Sequence, residues 1–506
     1  MPDSTKNSNE KNSLVLMFCT LLSRCLGVIK AIVTSHYFGA GALNDAINFA
    51  YNIPNSARKL FAEGALNTAY VPSFTDCEED KRKSESLLGA LLSFQLLIFI
   101  VLIAISFLFG RTIINFLSAF EDENQLYIAS SLLPLFTIFL TFISFASVFS
   151  GILQVKKSFF AIGICPIFYS SSVILAIIFF APKYSAFAFG YGTIVGSFFQ
   201  YLFCKLTVKK IGLKPHYNFN FKDQEFLKVF KRFIPIAFTS LITVVALQFT
   251  YSFASILPEG SISAFSNAIV LYQTPYGIVF SAIATVYYPE FNKLKDNTLR
   301  VKSLNKCLSD LLCFLLPFSI ILLTLNKEII SLLFQHGEFT LENTILTSKV
   351  SIFYFSALII ISFYSLLQRY CYSIDIYWAT TIVHLIVNSL DLLFSYLFIK
   401  YTNSVIALPI SYIITLSLGL IALLTFVKGL KLKAFVKENV KLLIANIPIT
   451  VCCLFIASLN LKYYKMGTTL KGALCTIALG VGLLLVMFIS YLIFKVPFLA
   501  SLKRKK

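Results

Sequence analysis

Long, unbroken runs of apolar residues recur along almost the whole chain and constrain its fold more than any other feature. Fourteen of them approach or exceed the length of about 20 residues that a helix needs to cross a bilayer. They lie near residues 13–35, 43–73, 87–109, 127–153, 159–181, 186–206, 233–257, 263–289, 307–325, 345–368, 376–399, 404–427, 441–460 and 471–494. Because apolar and polar residues do not alternate, the runs exclude an outer-membrane barrel. We predict an all-α polytopic membrane protein with about 14 transmembrane helices.

The composition excludes a soluble protein. Of the 506 residues, 57% are hydrophobic and only 13% are charged, whereas roughly a quarter is charged in an average soluble domain. The net charge of +19 would favour nucleic-acid binding in a soluble chain. Here the basic residues lie mostly in loops, so no nucleic-acid partner is expected. The eleven cysteines form no Cys-x-x-Cys pair, so we expect neither a metal site nor a cofactor.

The loops between the runs predict the orientation. An even number of spans places both termini on one side of the membrane. If that side is the cytoplasm, its loops and tails hold 31 Lys and Arg residues, against 7 in the opposite loops. This excess is a strong positive-inside signal. We therefore expect residues 1–12 to form a cytoplasmic N-terminal tail and the basic C-terminus to lie on the same side.

An internal repeat divides the spans into two lobes. Residues 65–74 (ALNTAYVPSF) and 282–291 (AIATVYYPEF) both fit A-x-x-T-x-Y-x-P-x-F, and each ends the second helix of a six-helix block. We expect an N-lobe over 13–226 and a C-lobe over 227–428. Two additional helices and a basic tail occupy 429–506. Parallel repeats of this kind are typical of transporters that work by alternating access.

The two copies of the repeat differ by about one helical turn. Pro54 and Pro72 are 18 residues apart, whereas Pro275 and Pro289 are 14 apart. The additional residues fall around 58–61 (RKLF), in the most charged part of any predicted span. We expect Pro54 to bend or break the second helix and so free backbone groups that must face protein or water.

Six ionisable side chains lie in the first two predicted spans, whereas most other spans have none. They are Arg24, Lys30, Asp45, Arg58, Lys59 and Glu63. Such groups are costly at membrane depth and usually mark a functional site. If Asp45 and Glu63 each pair with one cation, two positive charges remain, and an anionic ligand is their simplest partner. Because a guanidinium donates two parallel hydrogen bonds to phosphate, we expect Arg24, Lys30 and Arg58 to bind a phosphate-like group.

Other interpretations of the polar residues stay open. The charges can instead pair among themselves, or Lys30 and Lys59 can extend to a membrane interface; for Lys59 the two interpretations are equally good. His384, Asn388 and Asp391 in the eleventh span could coordinate a cation, but we favour a satisfied polar cluster within a helix bundle. The sequence holds no P-loop, H-E-x-x-H or nucleophile elbow, so neither an ATP-driven pump nor a protease is supported.

Several short motifs carry a resemblance to a known family. They are residues 23–30 (SRCLGVIK), 38–41 (FGAG), 52–55 (NIPN), 61–65 (FAEGA) and 70–72 (YVP), with further matches at 271–275, 282–289 and 337–340. Together they resemble the MurJ (MviN) lipid II flippases of the multidrug/oligosaccharidyl-lipid/polysaccharide exporter superfamily. With fourteen predicted spans, the resemblance covers essentially the whole chain.

The resemblance implies a function and a site. Members of this family carry undecaprenyl-pyrophosphate-linked disaccharide-pentapeptide from the inner to the outer leaflet of the bacterial inner membrane, for cell-wall synthesis. The implied partners are lipid II, membrane lipids and cell-wall synthesis proteins, and no reaction is catalysed. Cations of a central cavity hold the pyrophosphate, and a groove at the last two helices takes the lipid tail. The family's two helix-1 arginines fall on Arg24 and Lys30, its essential aspartate on Asp45 and its helix-2 arginine on Arg58.

The chain departs from the family pattern at three places. Lys30 replaces an arginine and loses the bidentate geometry, and Ala31 follows where the family commonly has aspartate. Val270 stands where the family has a helix-8 arginine, so the second lobe supplies no matched cation. The seventh span, 233–257, has no carboxylate, so the family's sodium site is not carried over.

Three rival functions are retained. The first is a flippase for another polyprenyl-pyrophosphate-linked oligosaccharide, which shares the same headgroup chemistry. The second is a drug or cation antiporter of the same fold, although an antiporter would need unpaired carboxylates. The third is a membrane scaffold without transport activity, an interpretation that Val270 supports.

Overall fold

The computed structural model describes residues 2–62, 65–77, 79–156, 158–294, 296–458, 469–494 and 496. These residues form seventeen helices and no strand, which confirms the predicted all-α class. The first nine are α1 (Pro2–Phe38), α2 (Ala42–Phe61), α3 (Ala65–Cys77), α4 (Lys81–Leu117), α5 (Glu123–Val155), α6 (Phe159–Tyr184), α7 (Phe187–Lys210), α8 (Gln224–Ser255) and α9 (Ser261–Lys293). The others are α10 (Asn297–Thr324), α11 (Asn326–Phe334), α12 (Leu341–Ser373), α13 (Tyr377–Thr402), α14 (Ala407–Phe426), α15 (Leu432–Ala445), α16 (Ile447–Ser458) and α17 (Leu470–Ile493).

The chain divides into two compact units, residues 1–263 and residues 264–506. In the first unit α5 is central and packs against α2, α3, α4, α6 and α7, while α8 packs against α2, α3 and α4. In the second unit α12 packs against α10, α11, α13 and α14, and both α16 and α17 contact α10. The lobe boundaries expected from the sequence stay a prediction.

The multi-pass character of the protein is confirmed, whereas the number of spans is not. Within the described residues, eleven helices are long and apolar enough to cross a membrane, or twelve if the bent pair α15–α16 forms one span. Helices α1 and α2, which correspond to the first two predicted spans, lie outside this set. The reason for α2 is its polarity, because its 20 residues include Asp45, Arg58 and Lys59.

The second predicted span, 43–73, consists of two helices. Helix α2 runs through Pro54 and ends at Phe61, Ala62 leaves the helical conformation (φ −121°, ψ −54°), and α3 follows. A break at Pro54 is therefore wrong; a proline removes one helical hydrogen bond, and the packing of α2 against α5 and α8 outweighs that loss. The observed break directly follows the additional residues 58–61. The second copy of the repeat lacks this turn and lies in one continuous helix, α9.

The thirteenth predicted span, 441–460, is bent and begins earlier than expected. Helices α15 and α16 meet at an angle of 45°. Pro448 is the second residue of α16, where a proline is tolerated, but it disfavours a continuous helix on its N-terminal side. At the bend, Asn446 donates to the carbonyl of Leu442 (2.8 Å) and to the hydroxyl of Tyr491 in α17 (3.0 Å). The bend is thus held by contacts within the second unit.

Two glycines bring α7 and α6 unusually close. A Cβ atom at Gly192 would lie 2.9 Å from the Cα of Val173, and one at Gly196 would lie 2.9 Å from the Cα of Tyr169. Small residues four positions apart allow membrane helices to pack backbone against backbone. This contact fixes the position of Tyr169 within the first unit.

Candidate anion-binding site

The ammonium group of Lys30 in α1 is surrounded by three aromatic rings. Its Nζ lies 5.1 Å from the ring centroid of Tyr51, 5.1 Å from that of Tyr169 and 5.8 Å from that of Phe189. All three distances fall within the range of cation–π attraction, about 6 Å. We call these three rings the aromatic cage. Rings stabilise a cation without neutralising it, so the half-buried Lys30 keeps its positive charge inside the first unit.

The two tyrosines of the cage are joined through their hydroxyl groups. The Oη atoms of Tyr51 and Tyr169 are 2.7 Å apart. In such a pair one hydroxyl donates to the other, and the hydrogen of the accepting hydroxyl remains for a further acceptor. Phe139 of α5 packs on both rings, with centroid distances of 5.8 Å to Tyr51 and 5.1 Å to Tyr169. Helix α5 therefore packs against the two tyrosines of the cage.

Arg58, the second cation expected in the site, lies on the same helix as Tyr51. It lies seven residues after Tyr51 on α2, which places both side chains on nearly the same helix face. Its guanidinium is half-buried and interacts electrostatically with Tyr169. Tyr169 thus contacts Lys30 of α1 through its ring and lies within electrostatic range of Arg58 of α2.

Arg24 occupies a different face of α1. Its side chain is exposed, whereas that of Lys30 is half-buried. Six residues separate the two along the helix, which corresponds to about 9 Å of rise and about 120° of rotation. Arg24 is therefore not part of the aromatic cage, and its role in binding stays a prediction.

Asp45 caps the start of α9. Its carboxylate is buried, with 2% of the residue exposed. It accepts hydrogen bonds from the backbone N–H of Gly260 (2.7 Å), from the backbone N–H of Ser263 (2.7 Å) and from the hydroxyl of Ser263 (2.5 Å). These donors are peptide and hydroxyl groups and not a guanidinium. The structure therefore gives Asp45 a capping role that the sequence did not indicate, and its pairing with an arginine stays a prediction.

Gly260 makes this cap possible. Its φ angle is +85°, a conformation that L side chains rarely adopt, and a Cβ atom there would lie 2.5 Å from the carbonyl oxygen of Ala40. Only glycine meets both requirements without strain. The N–H that Gly260 donates to Asp45 is thus held in place by the backbone conformation of the turn before α9.

The break between α2 and α3 is held by polar side chains from neighbouring helices. Gln95 of α4 donates to the carbonyl of Phe61 (3.3 Å), and Ser147 of α5 donates to the carbonyl of Ala62. Such contacts satisfy carbonyls that have no partner at a helix end. Glu63, the second predicted charge partner, lies outside the described residues.

A further polar pair connects α2 with α8. Asn52 donates to the Oε1 of Gln248 (3.1 Å), and Ser56 donates to the Oδ1 of Asn52 (3.0 Å). Among the described residues, the Nε2 of Gln248 is buried and has no hydrogen-bond partner. Gln248, Tyr169 and Phe189 were not predicted from the sequence. No local signal could have found the two aromatic residues, because the chain contains 52 Phe and 25 Tyr.

The polar residues predicted in the eleventh span fall into two groups in the second unit. The Nδ2 of Asn388 donates to the carbonyl of His384 (2.7 Å), whose ring lies 3.2 Å from the Nε2 of Gln368. Asp391 accepts separately from the hydroxyl of Ser411 in α14 (2.7 Å). All three residues thus have protein partners. In the part of the chain that the structure describes, no three His, Cys, Asp or Glu side chains are grouped to hold a metal ion.

Comparisons with known proteins agree with the fold and cover most of the chain. The family model described as "Lipid II flippase MurJ" matches residues 34–480. A "Probable lipid II flippase MurJ" of Borreliella burgdorferi is 28% identical over 491 residues, which cover 95% of this chain and 96% of that protein. A protein of the same description from Vibrio cholerae is 30% identical over 347 residues, 65% of this chain and 66% of that protein.

Solved structures show the same architecture. "Lipid II flippase MurJ, inward closed conformation" superposes with a TM-score of 0.79 at 24% identity, over 97% of this chain and 99% of that chain. An inward-facing multidrug resistance MATE family transporter of the MOP superfamily superposes with a TM-score of 0.63 at 13% identity, over 84% of this chain and 99% of that chain. At these identities the structures establish the fold, whereas the family model matches residues 34–480 directly. This chain belongs to the MurJ lipid II flippase family.

Proposed function

We propose that this chain moves lipid II from the inner to the outer leaflet and holds its diphosphate with Lys30 and Arg58. The observation that supports this site is the contact of Lys30 with the ring of Tyr169, a residue that also lies within electrostatic range of Arg58 in the first unit. A diphosphate carries enough negative charge to interact with both cations, and charge-assisted hydrogen bonds are among the strongest that proteins make. Arg24, exposed on α1, is proposed as a further cation that the diphosphate meets.

The two cations contribute differently to binding. Arg58 offers a planar guanidinium that can donate two parallel hydrogen bonds to one phosphate group. Lys30 offers a point charge on a flexible stem, which the aromatic cage restrains. Val270 stands where the family has a helix-8 arginine, so the second lobe supplies no matched cation. In this proposal the cations of α1 and α2 therefore account for most of the attraction for the diphosphate. No bond of the substrate is broken, because the cycle requires only binding, reorientation by alternating access, and release.

The remaining parts of the proposal concern location and partners. We place the protein in the bacterial inner membrane with both termini in the cytoplasm, because Lys and Arg residues concentrate in one set of loops. The N-lobe (13–226) and C-lobe (227–428) are proposed as the two bodies of the alternating-access cycle. The last two spans would hold the lipid tail, and cell-wall synthesis proteins would be neighbours on the outer side, where the lipid is used.

The test combines growth with transport. Lys30→Ala and Arg58→Ala are expressed in cells depleted of their own flippase, and the purified proteins are placed in vesicles that contain fluorescent lipid II. Both variants should insert into the membrane but fail to restore growth or to move the lipid. The matched control is Lys183→Ala, which removes an exposed lysine over the ring of Tyr184 on α6. Full transport by both site variants would contradict the proposed site.

The same vesicles distinguish the rival functions. The fold is shared with a multidrug transporter of the MATE family, so a cationic dye is added in parallel experiments. Uptake of the dye without movement of lipid II would favour the antiporter. Movement of other polyprenyl-diphosphate sugars at the same rate would favour a flippase of broader specificity. Absence of transport for every substrate would favour a scaffold.

A further inference from the structure

We infer that Tyr51, Tyr169 and Phe189 are positioning residues of the anion site, and that the Tyr51–Tyr169 hydroxyl pair donates a hydrogen bond to the bound phosphate. The inference rests on the proposed function, since it assumes that Lys30 and Arg58 bind a lipid-linked diphosphate. It adds the side chains that determine where the Lys30 charge lies and identifies an uncharged donor on the tyrosine pair that Lys30 contacts.

The aromatic cage restrains the flexible side chain of Lys30. A lysine ammonium is a point charge on four flexible carbons and has no planar group to fix its orientation. Held by a carboxylate, it would lose much of its attraction for a phosphate. Three rings at 5.1, 5.1 and 5.8 Å restrain the ammonium and leave its charge intact. The cage therefore restrains the position of the Lys30 charge, whereas the planar guanidinium of an arginine would be restrained by its own shape.

The hydroxyl pair of Tyr51 and Tyr169 has one hydrogen left for a ligand. The two hydroxyls are 2.7 Å apart, so one hydrogen is used within the pair and one is left to donate. Tyr169 lies against Lys30 through its ring and interacts with Arg58 electrostatically. The remaining hydrogen therefore belongs to a tyrosine pair that Lys30 contacts and that lies within electrostatic range of Arg58. A phosphate drawn in by both cations has oxygen atoms available to accept it.

The aromatic cage is held rigidly by the packing of its rings. Tyr169 is buried, and its backbone is packed tightly against Gly196. The ring of Phe189 also packs edge-on against Tyr51, with centroids 5.5 Å apart. The cage is thus built from α2, α6 and α7 before any ligand arrives. A site held in this way loses little conformational entropy on binding.

The test uses the full-length protein in lipid nanodiscs and titrates it with farnesyl diphosphate, a prenyl diphosphate without sugar or peptide. One aromatic ring of the cage is removed in each of the variants Tyr51→Leu, Tyr169→Leu and Phe189→Leu. Each variant should bind farnesyl diphosphate about tenfold more weakly than the wild type. Tyr51→Phe and Tyr169→Phe keep the ring and remove one hydroxyl, so they should weaken binding roughly three- to tenfold. The control is Phe168→Leu, because Phe168 is adjacent to Tyr169 but packs on Phe203; its binding should match the wild type.

A spectroscopic measurement separates positioning from general stability. Lysines are converted to their ¹³C-dimethyl forms, and the Lys30 signal is assigned by its loss in Lys30→Arg. Above ring faces this signal should lie upfield of the other lysine signals. It should move downfield in the three Leu variants and stay in place in the two Phe variants and in the control. If a Leu variant fails to fold, the Phe variants and the assigned wild-type signal still decide the question.

The outcomes for the two proposals are distinct. If the wild type does not bind farnesyl diphosphate, or if Lys30→Ala binds it equally well, the proposed function of the site fails. If binding depends on Lys30 but all Tyr and Phe189 variants bind like the wild type, the positioning role is overturned. A Lys30 methyl signal at the position of an exposed lysine would also overturn it.

Discussion

Removing the carboxylate of Asp45 should loosen the start of α9 without unfolding the rest of the first unit. In Asp45→Ala, the backbone N–H groups of Gly260 and Ser263 lose their acceptor at a buried position. Leaving a buried N–H without its acceptor costs about 1–3 kcal/mol. Two such groups therefore give a local destabilisation of about 4 kcal/mol, in the middle of that range. The Ser263 hydroxyl adds less, because it can turn to a helix carbonyl.

Hydrogen exchange followed by mass spectrometry measures this effect at the residues concerned. Each 1.4 kcal/mol changes an equilibrium tenfold, so the amides at the start of α9 should exchange at least about 100-fold faster in Asp45→Ala. Asp45→Asn retains one acceptor oxygen and should give an intermediate rate. Ser263→Ala removes only the hydroxyl donor and should change the rate least.

A second aspartate cap provides the matched control. Asp223 accepts from the N–H of Glu225 at the start of α8, so Asp223→Ala should accelerate exchange in α8 and leave α9 unchanged. Wild-type exchange rates at Gly260 and Ser263 in Asp45→Ala would refute the capping role. Equal acceleration along the whole chain would refute it as well, because it would show global unfolding.

Three further predictions concern other parts of the molecule. Gly196→Leu should displace Tyr169 and destabilise the protein by about 1–3 kcal/mol through overpacking, and an unchanged thermal unfolding temperature would contradict this. The N–H of Thr298 lowers the pKa of Asp296 below its ordinary value of 3.8. The cap therefore contributes fully above that pH and is lost as the pH falls through the lower folded-state pKa. The amides at the start of α10 should then lose protection, measured as their exchange rate relative to an unstructured peptide at the same pH. In Asp296→Asn this protection should not depend on pH. The Sγ atoms of Cys165 and Cys204 are 2.9 Å apart, so oxidation with copper phenanthroline should join them in a disulfide. The mass of the protein should then fall by two hydrogens, and an unchanged mass would disprove that contact.

Properties that depend on neighbouring residues in the chain could be predicted from the sequence. The helical class follows from continuous apolar runs, and the concentration of charge in the first two predicted spans marked Lys30 and Arg58 as candidates before their surroundings were known. Local rules were less successful where packing competes with them. The proline rule predicted a bend or a break at Pro54; the break is wrong, because the contacts of α2 carry the helix on to Phe61. Likewise, the bend at Asn446 could not be predicted from the apolar run 441–460.

The sequence by itself determined that this chain is a helical membrane protein with surplus positive charge in its first two predicted spans, because hydropathy and charge are properties of the residues themselves. Only the tertiary structure decided what surrounds those charges. Asp45 meets donors 215 residues away at Gly260, and the rings around Lys30 come from three other helices. Contacts between residues so distant in the chain depend on how the helices pack, and in α7 that packing is set by the close approach at Gly196.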